Sequence, residues 1–296
     1  MLDSRVESFL SVCKYKSYTK ASEELFISQP AVTQHIQYLQ KKYECKFFNY
    51  SNKELKLTKG GELLYKHFQN AKTNDNIIAQ KLKEISKKSK RLKFAATLTI
   101  GEFTLSPILN DFINEFNKYD ITMYVDNTKT ALKMLNNGEV HFALVEGLFN
   151  KAEYESKLCK IADFILTAPI THPLASKEVV SLEDLKNETV IIREKGSGSR
   201  EILERGLFDR NFTLENFKNT IEIGNVNAMK NMVKKGVGIS FLYKDSVNEE
   251  IKNNQLAEIK VSDFIVKREF NFIHLKNELI KEEMDIFYSF FQKNIN

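Results

Sequence analysis

The run "VIIREKGSGSREILE", residues 190–204, brings together residue types that can hold an anion. A β-branched stretch leads into Gly196-Ser197-Gly198-Ser199, and Arg200 follows where a helical pattern begins. Small residues let backbone N–H groups converge, and a helix N-terminus adds partial positive charge, so such a loop cradles a phosphate or carboxylate. Two kinds of protein use that chemistry. One is an α/β enzyme acting on an anionic substrate at residues 196–200; the other binds a small molecule reversibly. The loop lacks the Lys-Ser/Thr ending of a P-loop and the third glycine of a dinucleotide fingerprint. His35, His67, His141, His172 and His274 show no metal spacing. No local motif joins Ser, His and Asp, or Cys and His. No catalytic residue, metal or cofactor is therefore expected.

The elements that must position this loop alternate. From Arg91 onward strand patterns ("RLKFAAT", "ITMYVD", "VHFALVEG", "DFILTAPI", "TVIIR", "TIEIG", "VGISFLY", "REFNFIHL") are interleaved with helical ones. That order predicts an α/β domain of mostly parallel sheets with right-handed crossovers. Ligands of such sheets sit beyond the C-terminal ends of strands, where loops meet helix N-termini. Polar residues at those points are Thr97, Thr99, Glu146, Ser197 and Ser199, with Asn225 as a weaker candidate. For each of the hydroxyl and amide residues, capping a helix comes ahead of touching a ligand, and for Thr99 and Ser197 the two readings are compatible. Arg200 is read at least as well as an i,i+4 ion pair with Glu204 as a ligand contact.

Composition divides the chain differently. Residues 1–93 carry 19 Lys and Arg against 9 Asp and Glu, a net of +10, whereas residues 94–296 carry 25 against 30, a net of −5. A basic head on an acidic remainder suggests that one part meets a polyanion. Cys13, Cys45 and Cys159 fit neither a disulfide framework nor a metal site, no leader pattern opens the chain, and no apolar run approaches a membrane span. These features lead to the expectation of a cytoplasmic protein with no membrane partner.

Within the head, Val6, Phe9, Leu10 and Cys13 recur at helical spacing. Two further helices follow around a tight turn. Thr19 is expected to cap the first, with Ala21, Leu25 and Phe26 inside. Ser28 is expected to cap the second, with Pro30 in its first turn and Val32, Ile36, Leu39 and Tyr43 on its inner stripe. This is the helix-turn-helix pattern, and it leaves Gln29, Pro30, Thr33, Gln34 and Gln37 on an outer face. Glutamine can pair with adenine in the major groove, and threonine with phosphate or a thymine methyl. "KFFNY" and "ELKLT" around "SNKE" predict a hairpin wing carrying Lys53 and Lys56. Next, Leu64, Phe68, Ala71, Asp75, Ile78, Leu82 and Ile85 are spaced 4, 3, 4, 3, 4, 3. That is a heptad seam with one polar interruption. "KLKEISKKSKRLK" ends it with seven basic residues and one acid, most of which suit a solvated helix C-terminus.

With these motifs in place, "YTKASEELFISQPAVTQHIQYLQKKYECKFFNYSNKELKLTKGGE" resembles the winged helix-turn-helix of LysR-type transcriptional regulators. The small-residue helix, "SQPA", the leucine of "QYLQ" and "LTKGG" carry the resemblance, which extends more weakly over the whole chain. The family usually has arginines where this chain has Gln34, Gln37 and Tyr50, which shifts readout away from bidentate guanine contacts. The resemblance implies three parts: a winged helix-turn-helix over 1–58, a linker and dimerisation helix over 59–90, and an effector-binding domain over 91–296. That last part would resemble a periplasmic binding protein, with lobe I at 91–161 and 267–296 and lobe II at 162–266. "LVEG" with "GSGSRE" resembles the subgroup tied to sulfur and carbon-dioxide assimilation genes. Matched by position, Thr97, Thr99 and Ser197 would line a cleft between lobes. The implied partners are double-stranded DNA, a small-molecule effector and further copies of the chain as a homodimer or homotetramer, with RNA polymerase a candidate beyond these.

Overall fold

Ser17, not Thr19, opens the second helix: its hydroxyl accepts from the Lys20 N–H at 3.3 Å. The computed structural model describes residues 3–51, 54–87, 90–275 and 281–295, excluding the side chains of 80 and 84–87. Two compact units emerge, Met1–Lys87 with Asn136–Glu139, and Lys88–Leu135 with Val140–Asn296.

The first unit starts with α1 (Ser4–Tyr15), α2 (Tyr18–Leu25) and α3 (Gln29–Lys42). Asp3 caps α1 and Ser28 caps α3, the latter accepting from the Ala31 N–H at 3.3 Å, with Pro30 in the first turn. Ala21 is wholly buried where the helices meet, beside Phe9, Val32, Ile36 and Leu39. Phe26, expected inside, is 95% exposed. It ends α2 as a left-handed cap at φ 54°, and an eight-residue helix has turned its inner face away before reaching it. Tyr43 is likewise an exposed cap of α3. The wing forms as β1 (Phe48–Ser51) and β2 (Glu54–Leu57), antiparallel with Phe48 opposite Leu57. Lys53 lies outside the described residues.

α4 (Lys59–Lys87) runs for 29 residues. Its first turn needs Gly61, because a Cβ there would stand 2.2 Å from the Phe47 carbonyl oxygen. The predicted seam divides in two. Leu64 and Phe68 belong to the head's core, where Phe68 meets Phe9 edge-on with ring centroids 5.7 Å apart. Ile78 and Leu82 stand exposed in the single chain, and the Ile85 side chain is outside the described set. The seam is thus core at one end and uncovered apolar surface at the other.

The second unit contains β3 (Lys90–Thr97), α5 (Ser106–Glu115), β4 (Tyr119–Asp126), α6 (Thr128–Asn136) and β5 (Phe142–Val145). β6 (Glu155–Pro169), β7 (Thr189–Ile192), α7 (Gly198–Phe208), β8 (Asn219–Glu222), α8 (Val226–Lys234) and β9 (Ser240–Tyr243) follow. The unit ends with α9 (Lys244–Lys252), β10 (Leu256–Ile259), β11 (Val266–His274) and α10 (Lys281–Asn294). The main sheet runs β10-β6-β11-β5-β3-β4, with β9 also on β6, and β7 pairs with β8. The expected mostly parallel sheet is in fact mixed. β3 is parallel to β4 and β5, and β7 to β8, but β11 is antiparallel to both β5 and β6, and β9 and β10 are antiparallel to β6. The reason is that β6 and β11 run past each other in opposite directions and serve both halves of the unit. The start of β6 (Glu155) pairs with the end of β11 (His274), and the end of β6 carries β9 and β10.

Other elements escaped the sequence pattern. β6 begins at Glu155, not Asp163; α9 and β10 went unpredicted; a π-helix, Ile100–Leu105, precedes α5. Aromatic stacking ties the β3–β5 half together. Phe142 lies 5.0 Å from Phe94 and 4.5 Å from Phe272, and Phe287 of α10 lies 4.9 Å from Phe94. Such ring pairs add about 0.5–1.5 kcal/mol each beyond their area. This core anchors the middle of β3 and the start of β5, upstream of Thr97 and Glu146.

Candidate functional site

Strand ends and helix starts converge as the alternation predicted. Thr97 closes β3 at 1% exposure and Glu146 follows β5 at 2%. The Thr97 hydroxyl donates to Glu146 Oε2. Across from them, Ser197 precedes α7 and its Oγ lies 2.9 Å from Ser199 Oγ, both buried. Ser197 makes no side-chain cap bond, so its hydroxyl is not committed to the helix end. The two sides touch through glycine. A Cβ on Gly198 would stand 2.5 Å from the Glu146 carbonyl oxygen and 2.6 Å from Thr128 Oγ1, and one on Gly147 would stand 2.7 Å from Gly198 Cα. Gly147 also has φ 101°, a conformation that side chains resist. Thr128 Oγ1 donates to the Glu146 carbonyl at 2.9 Å, and the Lys129 N–H donates to the Gly196 carbonyl at 3.4 Å.

Burial raises the Glu146 carboxyl to about 7, against partial relief from the nearby Arg193 charge. Arg193 is itself buried and pairs with Glu194 at 2.8 Å. Tyr243, at the end of β9, is 1% exposed and its hydroxyl has no hydrogen-bond partner among the described residues. Burial pushes its phenol well above the ordinary value, and the Glu146 charge adds to that while Arg268 opposes it. Arg268 Nε is also buried without a partner. Among the described residues, then, two buried donors lack acceptors, and one of them, the Tyr243 hydroxyl, feels the Glu146 charge. Sequence reasoning missed Tyr243, Arg193 and Arg268. They lie within strands or at strand ends whose pattern reads as plain β-structure, and only the fold lets Arg193 act on Glu146 and lets Glu146 and Arg268 act on Tyr243.

The remaining candidates divide. Thr99 is 2% exposed, directly before the π-helix, and makes no cap bond. Asn225 is exposed, and its carboxamide accepts from the Ala228 N–H at 2.8 Å, so capping α8 accounts for it. Arg200 pairs with Glu204 at 2.8 Å and with Glu222, and donates to the Arg193 carbonyl, so it braces the loop from behind. Among the described residues no three His, Cys, Asp or Glu cluster as metal ligands. No described helix is long and apolar enough to cross a membrane.

In the head, Gln29, Pro30, Gln34 and Gln37 are exposed along α3. Thr33 is half-buried and its hydroxyl donates to the Gln29 carbonyl at 3.1 Å, which draws it back along its own helix. Lys56 is exposed on the wing with Glu54 at 3.8 Å, a loose pair that leaves its charge available. His35, behind the recognition face, meets Ser8 at 2.7 Å and fixes α3 on α1.

Comparison with known proteins agrees with this division. Residues 4–62 match the family described as bacterial regulatory helix-turn-helix protein, lysR family, and residues 86–295 match the LysR substrate binding domain. The HTH-type transcriptional regulator CysL of Bacillus subtilis is 29% identical over 98% of this chain and 96% of its own length. The RuBisCO operon transcriptional regulator of Allochromatium vinosum is 26% identical over 95% and 92%. Among solved structures, the regulatory domain of Synechocystis CcmR in complex with 2-PG aligns with TM-score 0.64 at 22% identity, over 70% of this chain and 98% of that one. CrgA, a LysR-type transcriptional regulator from Neisseria meningitidis, aligns with TM-score 0.56 at 15% identity over 99% and 98%. At those identities the solved structures bear on the fold alone. The enzyme alternative for residues 196–200 falls with these matches, because both halves of the chain match one family of regulators. With an exposed recognition helix in one unit and the loop-against-strand site in the other, the chain belongs to the LysR family of DNA-binding transcriptional regulators.

Proposed function

We propose that the chain senses a small metabolite where Thr97, Thr99, Glu146, Ser197 and Ser199 converge, and that occupancy there changes how its heads engage DNA. The observation that carries this reading is the Thr97–Glu146 pair buried against the Gly198 loop, with the Tyr243 hydroxyl, on which the Glu146 charge acts, unpartnered among the described residues. Polar groups so enclosed are stabilised by a ligand that completes their bonds. An effector with both an acceptor oxyanion and a donor fits best. The oxyanion would meet the Ser197 loop or the Tyr243 and Arg268 donors, and an ammonium or hydroxyl would meet Glu146. That describes an amino-acid-like or hydroxy-acid metabolite. A structural neighbour, the Synechocystis CcmR regulatory domain, is in complex with 2-PG, which supports a small-molecule effector.

The division into 1–58 as head, 59–90 as linker and 91–296 as effector domain is part of this proposal, as is assembly into a dimer or tetramer through the exposed Ile78 and Leu82 end of α4. Two copies would set two recognition helices on a pseudo-palindromic operator. Coupling requires that the effector bind two states unequally.

The test is calorimetric titration of the full chain with amino acids, hydroxy acids and inorganic oxyanions, followed by footprinting with each binder. Selective binding of an amino or hydroxy acid, weakened at least tenfold by Ser197→Ala or Thr97→Val and altering the footprint, supports the reading. Tight binding of an inorganic oxyanion alone would overturn the amino-acid-like effector. An unchanged footprint with every binder would overturn the coupling.

A further inference from the structure

A cavity of about 530 Å³ opens in the second unit between the π-helix and start of α5, Lys160 of β6, Lys230 in the middle of α8, the length of α9, and Asn294 and Ile295 at the end of α10. It shares no lining residue with Thr97, Thr99, Glu146, Ser197, Ser199 or Asn225. Its wall is rich in charge, and the charges are largely matched. Lys160 pairs with Asp245 at 2.6 Å, Lys252 with Glu249 at 3.1 Å, and Lys230 with Glu250 at 2.8 Å. The buried Lys230 also donates to the Ser246 carbonyl at 2.8 Å and stands 4.3 Å from the Phe103 ring centroid, so each of its three protons has a receiver. Glu102 is a fourth carboxylate and accepts from the Asn227 carboxamide at 2.8 Å. Among the described residues four carboxylates therefore face three ammonium groups.

Two polar atoms of the wall have no partner among the described residues. Glu250 gives one oxygen to Lys230, and its other, Oε2, is buried with no partner. The Thr104 hydroxyl, on a residue 8% exposed, is buried with no partner either. Buried polar atoms are nearly always bonded, so two orphans in the wall of one cavity mark a missing group. The π-helix is what brings Thr104 here: its wider turn sets Glu102, Phe103 and Thr104 in sequence along the cavity, and π-turns of this kind recur at functional sites. Phe103 already accommodates one cation on its face.

We infer that this cavity binds a small organic amine in its ammonium form, with Glu250 Oε2 and Thr104 Oγ1 receiving its protons. A carboxylate or phosphate ligand is disfavoured because every lysine of the wall is already neutralised and the surplus charge is negative. The site is separate from the metabolite site proposed above, and either can exist without the other.

The probe is 1,4-diaminobutane, titrated calorimetrically into the full chain free of DNA, with succinate of similar length as the anionic counterpart. The expected result is saturable diamine binding and no heat from succinate. Thr104→Val should weaken the diamine about tenfold. This variant also removes a buried unbonded hydroxyl, so the fold should melt no lower than the wild type. Glu250→Gln should weaken it further, and Glu215→Gln, an exposed acid outside the cavity, should leave it within twofold. Absence of diamine binding, tighter succinate binding, or equal weakening by Glu215→Gln would each overturn the inference. So would loss of binding in Thr97→Val with full binding in Thr104→Val, which assigns the amine to the other site.

Discussion

The recognition face of α3 and the site around Glu146 use similar polar residues in opposite settings. Gln29, Gln34 and Gln37 stand in solvent, and their chemistry is directed at whatever docks. Thr97, Thr99, Glu146, Ser197 and Ser199 are buried to within a few per cent, and Thr97 bonds Glu146 as Ser197 bonds Ser199, so their chemistry is largely directed inward. An exposed polar residue can be altered without touching the fold, whereas a buried polar cluster is part of the fold, and under the proposed function a ligand would compete with its internal bonds.

That contrast predicts a graded set of outcomes. Glu146 should give the largest effect on stability. Its folded carboxyl holds a proton up to about pH 7, against an ordinary value of 4.5. Between those values the folded state binds more protons than the unfolded state, so stability falls as pH rises through that window and is lowest above it. The full swing is on the order of 3 kcal/mol at 1.36 kcal/mol per unit. Glu146→Gln should flatten this dependence and stabilise the chain above pH 7, read as urea midpoints from pH 4 to 8. A wild-type midpoint that does not move with pH would place Glu146 with the exposed readers.

Gly198→Ala comes next. Its Cβ would press on the Glu146 carbonyl and Thr128, both anchored, so a loss of about 1–3 kcal/mol is expected along with loss of effector binding. Gln34→Ala and Gln37→Ala should each weaken operator binding by about 1–3 kcal/mol where the glutamine reads a base. Their melting temperatures should stay unchanged, since exposed substitutions move stability by roughly 0.5 kcal/mol or less. A clear drop in melting temperature would blur the contrast from the other side. The smallest effect should come from Asn225→Ala, which removes the cap of α8 and costs about 1 kcal/mol of stability with effector affinity intact. A lost effector response there would return Asn225 to the binding residues.

How much was legible before folding differs between the regions. The head could be read closely because its signals are local. Ser28 and Pro30 open α3 within one turn, Ala21 marks a close approach, and alternation around "SNKE" marks the wing. Its errors were also local: Ser17 caps α2 in place of Thr19, and Phe26 ends the helix rather than filling the core. In the second unit the strand ends named Thr97, Glu146 and Ser197 in advance, because loops at those ends must be polar or small whatever the pairing. The antiparallel course of β6 and β11 left no local mark, so neither the mixed sheet nor the placing of Tyr243 where the Glu146 and Arg268 charges both act on it was readable.

By itself, then, the sequence determined the division into a basic head and an α/β remainder, the exposed glutamine face, and which strand ends carry polar groups. Helix periodicity, capping and net charge depend on neighbours within a few residues, and those are written in order along the chain. Tertiary structure alone decided that Leu64 and Phe68 serve the head's core, that Gly198 abuts Glu146, and that Thr104 and Glu250 share a cavity wall. Those facts depend on pairs tens to more than a hundred residues apart, and only the pairing of strands and the seating of helices fixes their distance and their burial.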